Sequence, residues 1–279
     1  LRPEQLMTAC INAMRVLTDP ADTGAVCLAM PQDVEGEAYD YPEHFLQKRV
    51  WHLDRRPISA SQLERATALI KAAEKPIIVC GGGVRYSGAE KELLAFAEKY
   101  SIPVSETQAG KGLIDWKNPL NLGGIGVTGG KAANVIARDA DLVIGVGTRF
   151  TDFTTSSKWL FNENRKVLGI NICPFDAYKM DAEAIVADAR EALSALIDSC
   201  DGYKTAYTDE ISSAKSEWDA IVDDYYSKEL EGGLNQTLAL GIINEFMGEE
   251  DIALGSAGSL PGDMQRLFRP KARGTYHME

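Results

Sequence analysis

Three glycine-containing segments of the chain could bind an anionic ligand. They span residues 81–83, 147–149 and 255–262, and each follows a short apolar run. Glycine has no Cβ, so its backbone amides can approach a phosphate group closely. Arg149 adds a guanidinium group, which can pair bidentately with phosphate or carboxylate. The candidate binding residues are Gly81, Gly82, Gly83, Arg149, Gly258, Ser259 and Leu260.

Each of these segments also has a purely structural interpretation. The triplet at 81–83 could be a tight turn between a strand and a helix that binds nothing. Arg149 could form a salt bridge with Asp152 or another loop, and residues 255–262 could be a connector rich in glycine and serine. The residues alone leave these alternatives open.

Other kinds of site are not indicated by the motifs. The chain has no GxGxxG fingerprint in proper form, no P-loop, no HExxH and no Ser-His-Asp spacing cue. Its five cysteines form no CxxC pair and its three histidines are scattered, so we expect no metal site within it. Widely spaced cysteines predict free thiols in a reducing cytoplasm. The acidic residues Asp219, Asp223 and Asp224 predict a solvated helix face.

Charge and hydropathy exclude two classes of partner. The formal net charge is −12, from 41 acidic and 29 basic residues. A protein that binds duplex nucleic acid normally needs a basic face, so nucleic acid is not an expected partner. No apolar run approaches the roughly 18 residues of a membrane span, and the first residues have no signal-peptide pattern.

The elements between these segments predict an α/β fold. Apolar strands at 76–80, 102–106, 141–147, 166–172 and 184–187 alternate with amphipathic helices at 61–73, 88–100, 130–138 and 190–199. Such alternation predicts a parallel sheet covered by helices on both faces. Ser61 and Glu64 predict a capping box, and residues 109–130 a glycine-rich loop. Ligands of such sheets bind beyond the carboxyl ends of the strands, where two of the three candidate segments lie.

Both ends of the chain carry incomplete α/β units. A helix at 4–17 and a buried strand at 25–30 open the chain, while helices at 204–231 and 235–247 and a strand at 251–254 close it. We therefore expect an internal piece of a longer protein. The predicted organisation is an end of one domain at 1–34, a linker at 35–58, a middle domain at 59–200, a helical linker at 201–233 and the start of another domain at 234–279.

Three segments resemble the thiamine-diphosphate (ThDP) enzymes of the acetolactate synthase and pyruvate oxidase superfamily. TGAVCLAMPQDV (23–34) is similar to the end of their pyrimidine-binding domain. KPIIVCGGGV (75–84) and DADLVIGVGTRFTDFTT (139–155) are similar to strands of their nucleotide-fold middle domain. The resemblance implies a middle domain flanked by parts of the pyrimidine-binding and diphosphate-binding domains.

Within the superfamily, the chain most resembles hydrolases that open a cyclic dione ring in inositol catabolism. The segments at 2–26, 108–130 and 257–279 carry this resemblance. It implies ThDP as the electron sink for cleaving a C–C bond, Mg²⁺ between diphosphate and protein oxygens, and 5-deoxyglucuronate as product. It also implies that Gly258, Ser259 and Leu260 lie near the diphosphate. The alternatives are an acetolactate synthase or glyoxylate carboligase type of lyase, and a stand-alone FAD or NAD module.

The resemblance also implies what this sequence lacks. The family's catalytic glutamate belongs before residue 1 and its metal motif after residue 279, so no catalytic residue is expected here. We expect the chain alone to be inactive and to show no micromolar ThDP binding by calorimetry. FAD binding to the middle domain stays open, with Gly81–Gly83 and Arg149 as its candidate residues. Dimers or tetramers are expected of the complete enzyme.

Overall fold

The computed structural model describes residues 2–231 and 233–278. The chain divides into two compact units, Leu1–Arg55 and Arg56–Glu279. The boundary between them lies inside the segment predicted as a linker, 35–58.

The first unit contains one long helix and two short ones: α1 (Gln5–Leu17), α2 (Gln32–Glu35) and α3 (Glu43–Leu46). Helix α1 confirms the helix predicted at 4–17. The strand predicted at 25–30 is wrong, since this segment forms no strand and Val26, Leu28 and Met30 are exposed. A strand needs a neighbour for its N–H and C=O groups, and none of the described residues pairs with this segment.

The second unit is built on a six-stranded parallel sheet in the order β3-β2-β1-β4-β5-β6. This confirms the predicted sheet. Three of its strands, β1, β2 and β4, are buried along their whole length, as expected when helices cover both faces. The strands are β1 (Pro76–Cys80), β2 (Val104–Glu106), β3 (Asn121–Gly124), β4 (Leu142–Val146), β5 (Lys166–Asn171) and β6 (Glu183–Val186).

Alternate strand residues feed two separate cores. Ile78 packs in one core with side chains of helices on that face, while Ile77 and Val79 pack in the other. This follows from the two-residue period of a strand. The helices on the first face are α4 (Ala60–Lys71), α6 (Glu90–Tyr100) and α10 (Ala189–Ser199), and those on the second are α7 (Lys131–Asp139) and α11 (Thr208–Ser227).

Short helices and turns join the strands at their carboxyl ends. They are α5 (Gly82–Ser87), α8 (Asp152–Thr155), α9 (Pro174–Ala177) and the 3₁₀ turns Gln108–Gly110 and Lys179–Asp181. Helix α6 confirms the helix predicted at 88–100. Helix α5 was not predicted, and it ends before α6 because Gly88 adopts the left-handed conformation (φ 64°).

Two local predictions were wrong. Helix α4 begins after Ser59, whose side chain accepts from the Gln62 N–H in a capping box, so Ser61 and Glu64 do not form the cap. The predicted loop at 109–130 contains strand β3. Its sequence, Asn-Leu-Gly-Gly, has no apolar run, and pairing with β2 alone makes it a strand.

The last part of the second unit carries a small second sheet. Strand β7 (Ala253–Gly255) pairs in parallel with β8 (Tyr276–Met278), and α13 (Leu260–Leu267) lies between them in sequence. Helix α12 (Gln236–Phe246) confirms the helix predicted at 235–247, and β7 lies close to the strand predicted at 251–254. No helix within the described residues is both long and apolar enough to span a bilayer.

Candidate functional site

The glycine triplet lies at the carboxyl end of β1, next to the end of β4. The Gly81 and Gly83 N–H groups donate to the carbonyl oxygens of Val146 and Gly147, each at 2.9 Å. A Cβ on Gly81 would clash with the Gly147 carbonyl oxygen. The triplet therefore allows two loops to pack backbone against backbone, and two of its three amides are not available to a ligand.

Arg149 follows β4 at the same edge of the sheet, and its side chain is exposed. Its carbonyl oxygen accepts a hydrogen bond from Lys179 Nζ at 3.0 Å. The described residues contain no salt bridge between Arg149 and Asp152. Arg149 therefore lies just beyond the end of β4, the strand next to β1, and its guanidinium forms no ion pair with the described residues.

A GxGxxG spacing is present after all, at Gly124, Gly126 and Gly129. It follows β3 and precedes α7, as the dinucleotide fingerprint requires. The sequence did not show this because β3 was not predicted. The Gly126 N–H donates to Asn134 Oδ1 at 2.9 Å and the Gly129 N–H to the Gly126 carbonyl at 3.0 Å. A Cβ on Gly126 would clash with the Phe153 carbonyl oxygen. These glycines allow close packing of the backbone, and the Gly126 and Gly129 amides are not available to a ligand.

The loop at 256–260 differs from both glycine clusters because it is open. It joins β7 to α13, and all five residues are exposed. Gly258 has φ 116°, a conformation that favours glycine, and no atom lies within 4 Å of where its Cβ would be. Within the described residues, the N–H groups of Gly258, Ser259 and Leu260 donate to no acceptor.

This open loop fits a diphosphate group. Unused amides just before a helix N-terminus attract anions, because they add hydrogen bonds to the positive end of the helix dipole. The one acidic residue of the first turn, Asp263, lies 3.6 Å from Arg266 and accepts from Gln236 Nε2 at 2.5 Å, so its charge is partly neutralised.

The loop is anchored to the large sheet through α13. Gln265 is 3% exposed, and its Nε2 donates to the Ile125 carbonyl at 3.2 Å. Its Oε1 accepts a short hydrogen bond from Thr128 Oγ1. The candidate loop therefore lies near the carboxyl ends of β2 and β3, whereas the triplet and Arg149 lie at β1 and β4.

Two buried charges that no sequence motif indicates lie beside this anchor. Glu106 ends β2 and is 2% exposed, and Lys111 is 3% exposed. Burial raises the pKa of Glu106, an effect that Lys111 and the Gly112 N–H oppose. Burial lowers the pKa of Lys111, an effect that Glu106 opposes. Glu106 is the last residue of the strand predicted at 102–106, and this position at a carboxyl end was the one sign of a functional role. Its burial could not be predicted from the sequence.

Both charges line a cavity between the sheet and the segment after α13. Its other lining residues include Trp116, Asn121 and Arg269. The Arg269 guanidinium lies 4.2 Å from the centre of the Trp116 ring and pairs with Asp223 at 2.5 Å. Asp219 is half-buried and pairs with Lys215 at 2.9 Å, whereas Asp223 and Asp224 are exposed, as the predicted solvated helix face requires.

The remaining titratable candidates form no metal site. The described residues contain no group of three His, Cys, Asp or Glu side chains placed to hold a metal ion. All five cysteines are free thiols. His277 Nε2 lies 3.0 Å from the Gly274 carbonyl, at the start of the small sheet.

Comparison with known proteins identifies the large sheet. The family model described as "Thiamine pyrophosphate enzyme, central domain" matches residues 63–196. This segment is similar to the central domain of thiamine pyrophosphate enzymes. It contains β1–β6, the triplet and Arg149, while the open loop at 256–260 lies outside the matched residues.

Other relatives match the whole chain, including the residues outside 63–196. Three of them are named "3D-(3,5/4)-trihydroxycyclohexane-1,2-dione hydrolase". The protein from Clostridium tetani is 51% identical over 306 residues, that from Bacillus cereus 51% over 305, and that from Geobacillus thermodenitrificans 50% over 301. Each match covers 100% of this chain and 47% of the relative. The chain thus spans about half the length of the curated relatives it matches.

Proposed function

We propose that this chain serves a ThDP-dependent hydrolase that opens the ring of 3D-(3,5/4)-trihydroxycyclohexane-1,2-dione to 5-deoxyglucuronate in inositol catabolism. The observation that carries the proposal is the identity of about 50% to proteins of that name along all of this chain, the open loop included. ThDP supplies the electron sink for C–C bond cleavage. In this proposal, the chain binds the diphosphate through the backbone amides of Gly258, Ser259 and Leu260.

The proposal extends to the partners of the complete enzyme. Mg²⁺ would bridge the diphosphate and protein oxygens, and the enzyme would work in the cytoplasm as a dimer or tetramer. Exposed apolar side chains on α12 and β7 support self-association, among them Phe246 at 89% and Leu254 at 64% exposure. Light scattering on the purified enzyme measures its mass, and a monomer at micromolar concentration would contradict the oligomer.

A chimera tests the proposed activity. This chain replaces the corresponding half of the Clostridium tetani relative, and the product is assayed with ThDP, Mg²⁺ and the cyclic dione. We expect ring opening, and no reaction of pyruvate or glyoxylate. A folded chimera that binds ThDP and converts pyruvate but not the dione would favour the acetolactate synthase alternative.

A nucleotide at Gly81–Gly83 and Arg149 stays a prediction. Only the Gly82 amide and the exposed Arg149 side chain remain for such a ligand, so the geometry favours the open loop as the cofactor site. A flavin bound there would colour the purified protein yellow, and a purified protein without flavin absorbance would count against FAD.

A further inference from the structure

One side chain of the central domain reaches both elements that border the open loop. Gln108 begins the 3₁₀ turn that follows β2. Its Nε2 donates to the Pro261 carbonyl at 3.0 Å, one residue beyond Leu260. Its Oε1 accepts from Tyr276 Oη at 2.6 Å. Tyr276 is the first residue of β8 and pairs with Ala253 of β7, the strand that leads into the loop.

The turn that carries Gln108 is itself held firmly. The Thr107 N–H donates to the Cys80 carbonyl at 3.0 Å, and Thr107 Oγ1 accepts from the Gly110 N–H at 3.2 Å. A Cβ on Gly110 would clash with the Cys80 carbonyl oxygen, so the turn lies directly against the end of β1. Gln108 therefore projects from a position fixed by the large sheet.

The loop has few restraints of its own. Its residues are exposed, and within the described part of the chain the three amides at 258–260 have no acceptor. The two-stranded sheet beside it is a small element that needs outside packing for stability. The position of the loop is then set by what holds its two ends, the first turn of α13 and the β7–β8 pair.

We propose that Gln108 is a positioning residue for the diphosphate loop, acting on both of its ends from the central domain. This inference rests on the proposed function, because it assumes that residues 258–260 bind the ThDP diphosphate. A bidentate amide is suited to the task, since its Nε2 donates to one partner while its Oε1 accepts from the other. A cofactor site holds its geometry only when a supporting shell of residues fixes the binding groups.

Hydrogen exchange on this chain, without cofactor, tests the positioning directly. Gln108→Met removes both hydrogen bonds at nearly constant volume, and Tyr276→Phe removes one of them. We expect the hydrogen-bonded amides of Gly262 and Asp263, beside the loop, to exchange roughly tenfold faster in Gln108→Met and less so in Tyr276→Phe, as the loss of one or two net hydrogen bonds implies. Exchange in β1 and β4 should not change. Gln47→Met, at an exposed glutamine of the first unit, is the matched control.

ThDP titration of the chimera tests the consequence for the cofactor. We expect Gln108→Met to weaken ThDP binding about tenfold and activity to recover at saturating ThDP, because the groups that do the chemistry are untouched. Unchanged exchange at Gly262 and Asp263, or faster exchange spread over the whole sheet, overturns the inference.

Gly258→Ala separates this inference from the proposed function. If Gly258→Ala weakens ThDP binding and Gln108→Met does not, the positioning role is wrong and the diphosphate site stands. If neither variant changes ThDP binding, the assignment of the diphosphate to residues 258–260 has failed, and the positioning role falls with it.

Discussion

At the scale of single residues, the least expected feature is the buried pair of charges at the end of β2. Glu106 and Lys111 are almost fully buried, and each is stabilised in its charged form by the other. Such a pair adds little net stability, but removing one partner leaves a buried charge uncompensated. Glu106 Oε1 also accepts from the Gly112 N–H at 3.0 Å, so the pair ties the loop after β2 to the strand.

Lys111→Met should destabilise the chain by about 3 kcal/mol at pH 7, because Glu106 would lose its opposite charge. The pKa of Glu106 would then rise further above its ordinary value of 4.5. A carboxyl group whose pKa is raised in the folded state contributes stability below its unfolded pKa and loses it as pH rises. We therefore expect the deficit of the variant to grow from pH 5 to pH 8 in urea unfolding.

The double variant Glu106→Gln, Lys111→Met is the control for this experiment. The amide introduced at position 106 would keep an acceptor for the Gly112 N–H and would leave no charge behind. We expect the double variant to recover most of the lost stability and to remove the added pH dependence. A deficit of Lys111→Met that is constant across this pH range would show that lost packing, and not charge, is the cause.

At the scale of elements, helix α4 shows how two neighbouring serines differ in their roles. The Ser59 Oγ accepts from the Gln62 N–H at 3.3 Å, and the Gln62 side chain accepts from the Ser59 N–H at 3.3 Å. Ser61 lies inside the helix, and among the described residues its side chain hydrogen-bonds only with the Ser59 hydroxyl. Both serines are followed three residues later by a Gln or Glu, so the two caps look equivalent in the sequence.

Ser59→Ala should destabilise the second unit by about 1 kcal/mol, the usual effect of losing an N-cap. Ser61→Ala should fall within about 0.5 kcal/mol of the wild type, as exposed substitutions usually do. Urea unfolding followed by circular dichroism measures both free energies. If Ser61→Ala were the more destabilising variant, Ser61 would be the N-cap and α4 would begin later in the chain.

At the scale of the whole molecule, two compact units are joined by a segment without regular structure. Residues 47–59 contain no helix or strand and are almost all exposed. Arg56 already belongs to the second unit, where its carbonyl accepts from the Asp188 N–H at 2.9 Å. Exposed irregular segments are the preferred sites of proteolysis.

Brief digestion with trypsin should therefore cut first between Lys48 and Arg56. We expect a large fragment that begins between Arg49 and Arg56, identified by mass spectrometry, to persist while the first unit is degraded. The bond after Arg56 should resist, because proline follows it. First cuts inside residues 76–200 would contradict the division into these two units.

The sequence by itself determined the class of fold and the edge of the sheet, at the carboxyl ends of the strands, where candidate residues lie. Short apolar runs alternating with amphipathic helices specify a parallel sheet, because each pattern buries its apolar groups in only one way. Strands β1, β4 and β5 were predicted to within one or two residues for this reason. Strand β3 was not, since Asn121–Gly124 carries almost no apolar signal of its own.

Only the tertiary structure decided which candidate residues are free to bind. Gly81, Gly83 and Gly258 look alike in sequence, yet the first two donate to the end of β4 and the third faces open space. The burial of Glu106 and the pairing of Arg269 with Asp223 also depend on residues far apart in the chain. Local sequence sets what a residue can do, but its hydrogen-bond partners and its exposure to water come from segments that meet only on folding.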